Sequence, residues 1–501
     1  MRTARLLGQA SLGLLILAPA LRLNVFSAHE AFELRRFLYG LVATTLVGAL
    51  VIMTLSRANR ERQWVYGVGG VIMLCLFNWS AFNEAGQFAA PYVGELLGQG
   101  VLPVAMAALV IFLSTRLSDQ QPFHVLLLVV SIAIAASHLA LVLQRPATLS
   151  PETLPAVDDL SAALTNTPDV FLVVLDGYTR EDVLADQMDF ENHDFLTELE
   201  DSGFQVPALS RSNYDSTYAS LSSLFAMDYL LEPGPVTDTE MASVRGVLRN
   251  GGSAVDYFRS AGYEFNYVES PWSVSACGPT VDKCYPYWTL AETARWLAEF
   301  TIFAGLTDVG SWTVSADHAL DQFETLRNIA ATSKNGPRLV YAHIGLPHPP
   351  FVLNAQCERW DNPQADTWHF STDAASPYLE QVRCVNHQVQ AFVDVVTRSN
   401  PSAVVVITGD HGVSLHNQAE KPATQWSPDE IEESTAILFA YRLPVGCPNT
   451  GSAQFELVNT FRVVIDCLFG QNLGVLPGQQ FHAVQPHLMS PAVTEFPASL
   501  P

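Results

Sequence analysis

Five long apolar stretches near the N-terminus constrain the fold of this 501-residue chain more than any other feature of its sequence. They lie at residues 6–26, 37–55, 64–82, 97–115 and 124–143. A helix needs about 20 apolar residues to cross a bilayer, and a helix satisfies all of its own backbone hydrogen bonds in lipid. Residues 1–144 are therefore predicted to form a transmembrane region of about five helices.

The arginines beside these stretches predict the orientation of the chain. Most of them fall on one side of the membrane if the N-terminus is cytoplasmic, whereas Arg35 and Arg36 fall on the other. The supporting residues are Arg2, Arg5, Arg57, Arg60, Arg62 and Arg116. With this orientation the chain beyond residue 144 lies outside the cytoplasm. We expect a multi-pass protein of the cell inner (plasma) membrane.

The first apolar stretch also fits a cleavable signal peptide, because Arg2 and Arg5 precede a short apolar run that ends in Ala18-Pro19-Ala20. Cleavage after Ala20 would leave four spans with an external start. The C-terminal part of the chain would lie outside the cytoplasm in either case.

The composition changes after the apolar region. Residues 1–150 contain 10 arginines, no lysine and 6 acidic residues, whereas the remainder holds 44 of the 50 acidic residues against 16 basic ones. So acidic a domain argues against nucleic acid as a partner. We expect residues 145–168, rich in Pro, Thr and Asp, to link the membrane region to a catalytic domain at 169–484, followed by a tail at 485–501.

Six of the seven cysteines lie in this second part and form neighbouring pairs along the sequence. An even number of cysteines beyond a membrane region is typical of an oxidising compartment. Among the pairings open to them, we predict the nearest-neighbour disulfides Cys277–Cys284, Cys357–Cys384 and Cys447–Cys467. The alternatives are buried free thiols or a zinc cluster, although the sequence has no C-x-x-C pair.

Short apolar runs predict the strands of the second part. Asp169–Tyr178 (DVFLVVLDGY) and Ser402–Gly412 (SAVVVITGDHG) are continuous, rich in β-branched residues and bounded by Gly or Pro. Further strands are predicted near 263–270, 338–346 and 434–442, and helices near 191–201, 253–260, 286–304, 314–332, 376–397 and 453–469. Such alternation predicts an α/β domain, with a mainly parallel sheet covered by helices, after the helical membrane region.

The ends of two predicted strands carry a candidate metal site. Asp176 ends the first strand and Asp410-His411 ends the second, and such ends gather at one edge of an open α/β sheet. Carboxylate and imidazole groups suit Mg, Mn or Zn, so these residues are predicted to bind one divalent cation.

Thr217 is the candidate nucleophile and a fourth ligand. A cation lowers the pKa of a coordinated hydroxyl, and the helix-like stretch Thr217–Leu230 would place this hydroxyl at a helix N-terminus that favours phosphate. Taken singly, each residue has a simpler interpretation: Thr217 as a helix cap, and Asp176 and Asp410 as turns after strands. The ordered combination is much less expected by chance.

The ordered set resembles the alkaline phosphatase superfamily, in its membrane-anchored sulfatase-like branch, which includes lipoteichoic acid synthases and phosphoethanolamine transferases. The resemblance covers about 169–470 and, in layout, the preceding spans. In that family an acidic residue after the first strand, a threonine nucleophile and a later Asp-His-Gly bind the catalytic metal. The resemblance implies these roles for Asp176, Thr217, Asp410 and His411.

Three histidines extend the resemblance. The segment 343–350 (HIGLPHPP) resembles the histidine loop of the family, which implies that His348 contacts the substrate or a second metal. His343 is interpreted as a structural residue of the strand. His416 is a possible additional ligand, and a solvated loop histidine is the simpler interpretation.

Two departures limit what the resemblance implies. Hydrolytic sulfatases carry Cys or Ser followed by Pro and Arg for conversion to formylglycine, and Thr217–Leu221 (TYASL) lacks that pattern. Phosphoethanolamine transferases usually have Glu at the first metal position, where Asp176 stands here. The donor is therefore not carried over from either group.

From these features we expect a membrane-anchored phosphotransferase or phosphodiesterase that passes a phospholipid head group to an envelope glycan or lipid through Thr217. The first alternative is an extracytoplasmic phosphoester or sulfate ester hydrolase of the same fold. The second is a non-catalytic envelope scaffold, against which the paired carboxylates count, since a scaffold has no use for them. The sequence leaves the oligomeric state open.

Overall fold

A computed structural model describes most of the chain. The residues described are 2–26, 34–58, 61–79, 82, 101–143, 167–270, 276–287, 293, 297, 301, 316–332, 336–364, 375–414, 422–447, 454–483 and 492–496. The chain divides into two units, one of Met1–Arg145 with Trp288–Ser311 and one of Pro146–Tyr287 with Trp312–Pro501. The predicted linker and C-terminal tail lie mainly outside the described residues.

The described part of the first unit is helical. Its long helices are α1 (Arg2–Phe26), α2 (Leu34–Ala58), α3 (Arg62–Phe77), α4 (Leu102–Leu117) and α5 (Gln121–Leu143). Helices α1, α2 and α5 contain segments long and apolar enough to cross a membrane. Helices α3 and α4 have 16 residues each, about 24 Å at 1.5 Å per residue, which is shorter than a bilayer core. Membrane crossing by these two helices stays a prediction.

Small and polar residues join the helices of this unit. The side chain of His124 on α5 is fully buried, and a Cβ added at Gly67 of α3 would lie 2.8 Å from its ring. Glycine therefore permits the close approach of the two helices. Farther along α5, Nδ1 of His138 lies 3.1 Å from the carbonyl oxygen of Ala18 on α1.

The second unit is an α/β domain. Its strands and helices in chain order are β1 (Val170–Leu175), α6 (Glu181–Met188), α7 (His193–Asp201), β2 (Leu209–Arg211), α8 (Thr217–Ala226), β3 (Gly234–Pro235), α9 (Asp238–Asn250), α10 (Gly252–Ser260), β4 (Glu264–Val268), β5 (Lys283–Tyr285), α11 (Ala316–Ala331), β6 (Arg338–Ile344), β7 (Phe351–Leu353), β8 (Arg359–Gln364), α12 (Ala375–Ser399), β9 (Val404–Gly409), α13 (Pro428–Thr435), β10 (Phe439–Arg442), β11 (Gln454–Glu456), α14 (Thr460–Phe469), β12 (Phe481–Ala483) and β13 (Ala492–Glu495).

A six-stranded sheet forms the centre of this unit, in the order β10-β9-β1-β6-β4-β5. Every neighbouring pair is parallel except β10 and β9. The central strands β1, β6 and β9 are buried along their whole length, as their continuous apolar runs predict.

Helices cover both faces of this sheet. Alternate residues of β1 point to opposite faces. On one face Phe171 packs with Phe392 of α12, at 5.7 Å between ring centroids, within a cluster that includes residues of α11. On the other face Leu172 belongs to a cluster with Phe225 of α8 and Phe461 of α14. The predicted α/β fold with a mainly parallel, helix-covered sheet is confirmed.

Two predicted elements have different bounds in the structure. The strand predicted at 434–442 begins only at Phe439, because α13 occupies 428–435 and starts with a capping box between Ser427 and Glu430. The helix predicted at 453–469 begins at Thr460, since the short strand β11 comes first. The helix predicted at 286–304 lies mainly outside the described residues.

The three predicted disulfides are confirmed. Cys277–Cys284 closes the segment between β4 and β5, Cys357–Cys384 joins the β7–β8 loop to α12, and Cys447–Cys467 joins the segment after β10 to α14. Each bridge ties an irregular segment, which restricts the unfolded chain. Cys75 of α3 is the remaining cysteine, and it is buried.

Candidate metal centre

Three polar side chains meet at the carboxyl-end edge of the central strands. Asp176 follows β1, Asp410 follows β9, and His343 lies one residue before the end of β6. The strand register aligns them, because Leu175 pairs with both Ile344 and Gly409. All three side chains are buried. The two carboxylates therefore lie at one edge of the sheet, as predicted.

Two imidazole rings face these two carboxylates. Nε2 of His343 lies 3.5 Å from Oδ2 of Asp176 and 3.8 Å from Oδ2 of Asp410. Nε2 of His411 lies 3.4 Å from Oδ1 of Asp176 and 3.8 Å from Oδ2 of Asp410. The four side chains thus direct nitrogen and oxygen atoms toward one another, as ligands of a shared cation do.

The backbone holds the Asp410 carboxylate. Its Oδ1 accepts hydrogen bonds from the N–H groups of Gly177 and His411, each at 3.0 Å. Its Oδ2 is buried and accepts no hydrogen bond from the described residues, since 3.8 Å is too long for one. A buried carboxylate oxygen of this kind is costly without a proton or a cation, and it fits a metal ligand.

The position of Asp410 depends on a close approach between β9 and the turn after β1. A Cβ at Gly409 would lie 2.4 Å from the carbonyl oxygen of Tyr178, so only glycine fits there. Gly177 in that turn has φ of 67°, a left-handed conformation that glycine adopts readily.

His348 lies next to the cluster on the loop after β6. Its N–H donates to the carbonyl oxygen of Asp176 at 3.0 Å, and its ring centroid is 6.0 Å from that of His411. Gln381 of α12 supports the loop by donating to the carbonyl oxygens of Pro347 and His348. One ligand atom each from Asp176, His348 and His411 lies within 4.8 Å of the others, and the same holds for Asp176, His343 and Asp410.

Backbone carbonyls determine which ring nitrogen carries the proton in two of these histidines. Nδ1 of His411 lies 2.8 Å from the Gly412 oxygen, and Nδ1 of His348 lies 2.7 Å from the Pro349 oxygen. A carbonyl only accepts, so Nδ1 donates and Nε2 is the nitrogen able to bind a cation or exchange a proton. Metal-binding histidines in proteins are commonly oriented in this way.

The charges of the cluster favour a cation. Burial alone would raise the pKa of Asp176, but His348, His343 and His411 outweigh it and hold that pKa well below its usual range. Burial alone would lower the pKa of His411, but Asp410 and Asp176 outweigh it and raise that pKa to about 10. The two carboxylates thus stabilise positive charge between them. The donor set fits a divalent ion such as Zn²⁺ or Mn²⁺.

The sequence did not predict that His343 belongs to this cluster. It lies on β6, as its interpretation as a strand residue requires, and its ring also faces both carboxylates. The available signal was a histidine inside a buried apolar strand, because a buried polar group needs a polar partner.

Thr217 is the first residue of α8, as predicted, and its side chain is partly buried. Ser216 before it has the extended backbone of a cap residue but makes no side-chain cap hydrogen bond. Helix α8 ends at Ala226 and does not reach Leu230. Binding of the metal by Thr217 stays a prediction, and His416 lies outside the described residues.

One family model and several solved structures match this chain. Residues 168–437 match the family model described as Sulfatase. No curated protein sequence matches the chain. Among solved structures, the C-terminal periplasmic domain of EcEptC from Escherichia coli is similar with a TM-score of 0.44 and 12% identity, covering 70% of this chain and 98% of that one.

Two further solved structures are also similar to the chain. The integral membrane lipooligosaccharide phosphoethanolamine transferase A from Neisseria meningitidis has a TM-score of 0.40 and 14% identity, covering 93% of this chain and 95% of that one. The lipoteichoic acid synthase LtaP from Listeria monocytogenes has a TM-score of 0.41 and 15% identity, covering 65% of this chain and 79% of that one.

Proposed function

Because the chain belongs to the sulfatase family, whose model matches more than half of it, we propose that it is a metal-dependent phosphotransferase with Thr217 as nucleophile. The observation that carries this proposal is the cluster of Asp176, His343, Asp410 and His411. Two carboxylates and two imidazoles at one sheet edge serve catalysis better than stability, because burying such charges is costly.

One divalent cation is proposed for this cluster, with Asp176, Asp410 and His411 as ligands and His343 as a further one. A bound cation would act as a Lewis acid on a phosphoryl oxygen and lower the pKa of a coordinated hydroxyl. The buried Oδ2 of Asp410 and the Nε2 atoms of the two histidines supply the donors.

The protein's own groups divide the remaining work. The hydroxyl of Thr217 gives its proton to solvent and attacks phosphorus, and the bond from phosphorus to the lipid alcohol oxygen breaks. The N-terminal N–H groups of α8 stabilise the phosphoryl oxygens. Through Nε2, His348 donates a proton to the leaving lipid oxygen in the first step and accepts one from the acceptor hydroxyl in the second. In the second step the hydroxyl of an acceptor attacks the Thr217 phosphoester and releases the enzyme unchanged.

A phospholipid is the proposed donor, and an envelope glycan or lipid the proposed acceptor. The catalytic unit is covalently attached to helices able to cross a membrane, so lipid head groups reach it at a high effective concentration. A two-step reaction through a covalent intermediate suits the transfer of a head group. Water intercepting the intermediate would produce slow hydrolysis as a side reaction.

Full-length protein in vesicles tests this proposal. The vesicles contain phosphatidylethanolamine and phosphatidylglycerol with labelled head groups, together with glycolipids extracted from the protein's own membrane. We expect cation-dependent movement of label into the glycolipid fraction, and loss of this transfer when EDTA removes the metal. Label that appears only as water-soluble head group, at the same rate with and without glycolipid, would replace transfer by hydrolysis.

The location of the catalytic unit is a separate prediction. We expect residues 145–501 to lie outside the cytoplasm, because most arginines of the first 144 residues favour that orientation and three disulfides form in this part. An alkaline phosphatase reporter fused after residue 144 should be active, and β-galactosidase fused there should be inactive. The reverse pattern would place the unit in the cytoplasm.

A further inference from the structure

A histidine–aspartate pair lies at the loop that leads into Thr217. Nδ1 of His482, on β12, lies 2.5 Å from Oδ2 of Asp215. The N–H of Ala483 donates to Oδ1 of the same carboxylate at 2.9 Å. The Asp215 side chain is 8% exposed and that of His482 is 20% exposed. Both oxygens of Asp215 are therefore held by a strand 267 residues later in the chain.

Backbone contacts continue this attachment. The N–H of Phe481 donates to the carbonyl oxygen of Asn213 at 2.9 Å, and the N–H of Asp215 donates to the carbonyl oxygen of Phe481 at 3.3 Å. The rings of Tyr214 and Phe481 stack with centroids 5.0 Å apart. Strand β12 thus holds each of the three residues that precede the cap residue of α8.

The other contacts of His482 are aromatic. Its ring centroid is 4.8 Å from that of Trp426 and 6.4 Å from that of Phe496. Trp426 lies on the segment that follows Asp410 and His411 along the chain. His482 therefore joins the segment before the proposed nucleophile to a segment beyond the metal ligands.

The pair also affects the end of α8. A carboxylate just before a helix can cap the N–H groups of its first turn. Here the two oxygens of Asp215 accept from β12, and Ser216 makes no side-chain cap hydrogen bond. Neither Asp215 nor Ser216 is therefore seen to cap the N-terminus of α8.

We propose that His482 is a positioning residue for the reaction. By holding the Asp215 carboxylate on β12, it fixes the orientation of the Thr217 hydroxyl and keeps Asp215 away from the phosphoryl-binding end of α8. This role rests on the proposed function of Thr217 as nucleophile. It adds a contribution of strand β12 to the site.

Substitutions of His482 test the role. In His482→Asn the side-chain amide nitrogen takes the place of Nδ1 and still donates to Asp215, whereas His482→Leu has no donor. Full-length protein in detergent with Mn²⁺ is assayed on bis-p-nitrophenyl phosphate. We expect His482→Leu to lower kcat by about 10²-fold with little change in KM, as loss of orientation does, and His482→Asn to retain most of the activity.

The controls separate positioning from folding and metal loss. Metal content should remain close to wild type in both variants. His482→Leu should lower Tm moderately but stay folded at the assay temperature, because it leaves one oxygen of Asp215 without its donor. His193 is exposed and lies 3.8 Å from Glu181, so His193→Leu removes a comparable histidine–carboxylate contact and should leave kcat unchanged. If His482→Leu fails to fold, His482→Gln is assayed instead. The glutamine amide reaches past the position of Nδ1, so this variant should lose activity.

Several outcomes would overturn the role. One is a wild-type kcat in His482→Leu. Another is an equal loss of kcat in His482→Asn and His482→Leu. A third is equal activity of His482→Asn and His482→Gln. Thr217→Ala is assayed beside them. If Thr217→Ala is inactive while His482→Leu is fully active, only the positioning role fails; if Thr217→Ala is fully active, the proposed function fails and the positioning role with it.

Discussion

Replacing Asp410 by Asn is expected to remove the divalent cation and the activity while the fold persists. The carbonyl oxygen of the new amide can keep the hydrogen bonds that Oδ1 accepts from Gly177 and His411. The amide N–H₂ then takes the place of Oδ2 and presents donors where the cation needs an acceptor. The affinity for the cation should fall by more than the roughly 10–100-fold that is typical when a hydrogen-bond partner of a metal ligand is lost.

Elemental analysis of the purified variant, with circular dichroism and Tm, measures this effect. Asp394→Asn is the matched control, because Asp394 lies exposed on α12, 3.6 Å from Arg398, and undergoes the same chemical change. The control should keep wild-type metal content and turnover. Wild-type metal content in folded Asp410→Asn would show that the cation binds elsewhere.

Thr217→Ala is expected to abolish turnover and the covalent intermediate. The change removes the hydroxyl but preserves α8, because alanine favours helices and the cap position belongs to Ser216. Loss of a nucleophile typically lowers kcat by about 10³-fold or more. Thr217→Ser keeps a hydroxyl and should retain part of the activity.

Intact-mass analysis after incubation with phospholipid vesicles detects the intermediate, and peptide mapping locates it. Wild type should gain the mass of a phospho-head-group on the peptide that contains Thr217, and Thr217→Ala should gain none. Thr332→Ala, at an exposed position just after α11, serves as the control and should form the adduct normally. An adduct of equal yield in Thr217→Ala would assign the nucleophile to another residue.

The central strands and part of the site were predictable because their signals are local. A buried parallel strand has a continuous apolar run, and β1 and β9 show such runs with Asp176 and Asp410 directly after them. Parallel strands bring their carboxyl ends to one edge, so the proximity of the two carboxylates follows from the strands themselves. His411 was predicted together with Asp410 because it is the next residue of the same motif.

Other contacts depend on the register of distant segments. His343 meets the carboxylates because β6 pairs with β1 so that Val174 is opposite His343, and no local motif encodes that pairing. Strand β12 has three residues, too few for a periodic pattern, and its attachment to Asp215 appears only in the folded chain. The start of β10 was misplaced because a buried apolar run, Ala436, Ile437 and Leu438, lies between α13 and the strand and reads as part of it.

The hydrogen bonds of Asp410 have a consequence for how the protein matures. Backbone N–H groups at the ends of two adjacent strands hold its carboxylate, so the ligand reaches its position through folding and requires no ion to do so. If the proposed site binds a cation, we expect binding to follow folding as a separate step. Since nitrogen–oxygen sites of this kind accept several divalent ions, the ion bound at the proposed site would depend on which is abundant where the folded chain resides.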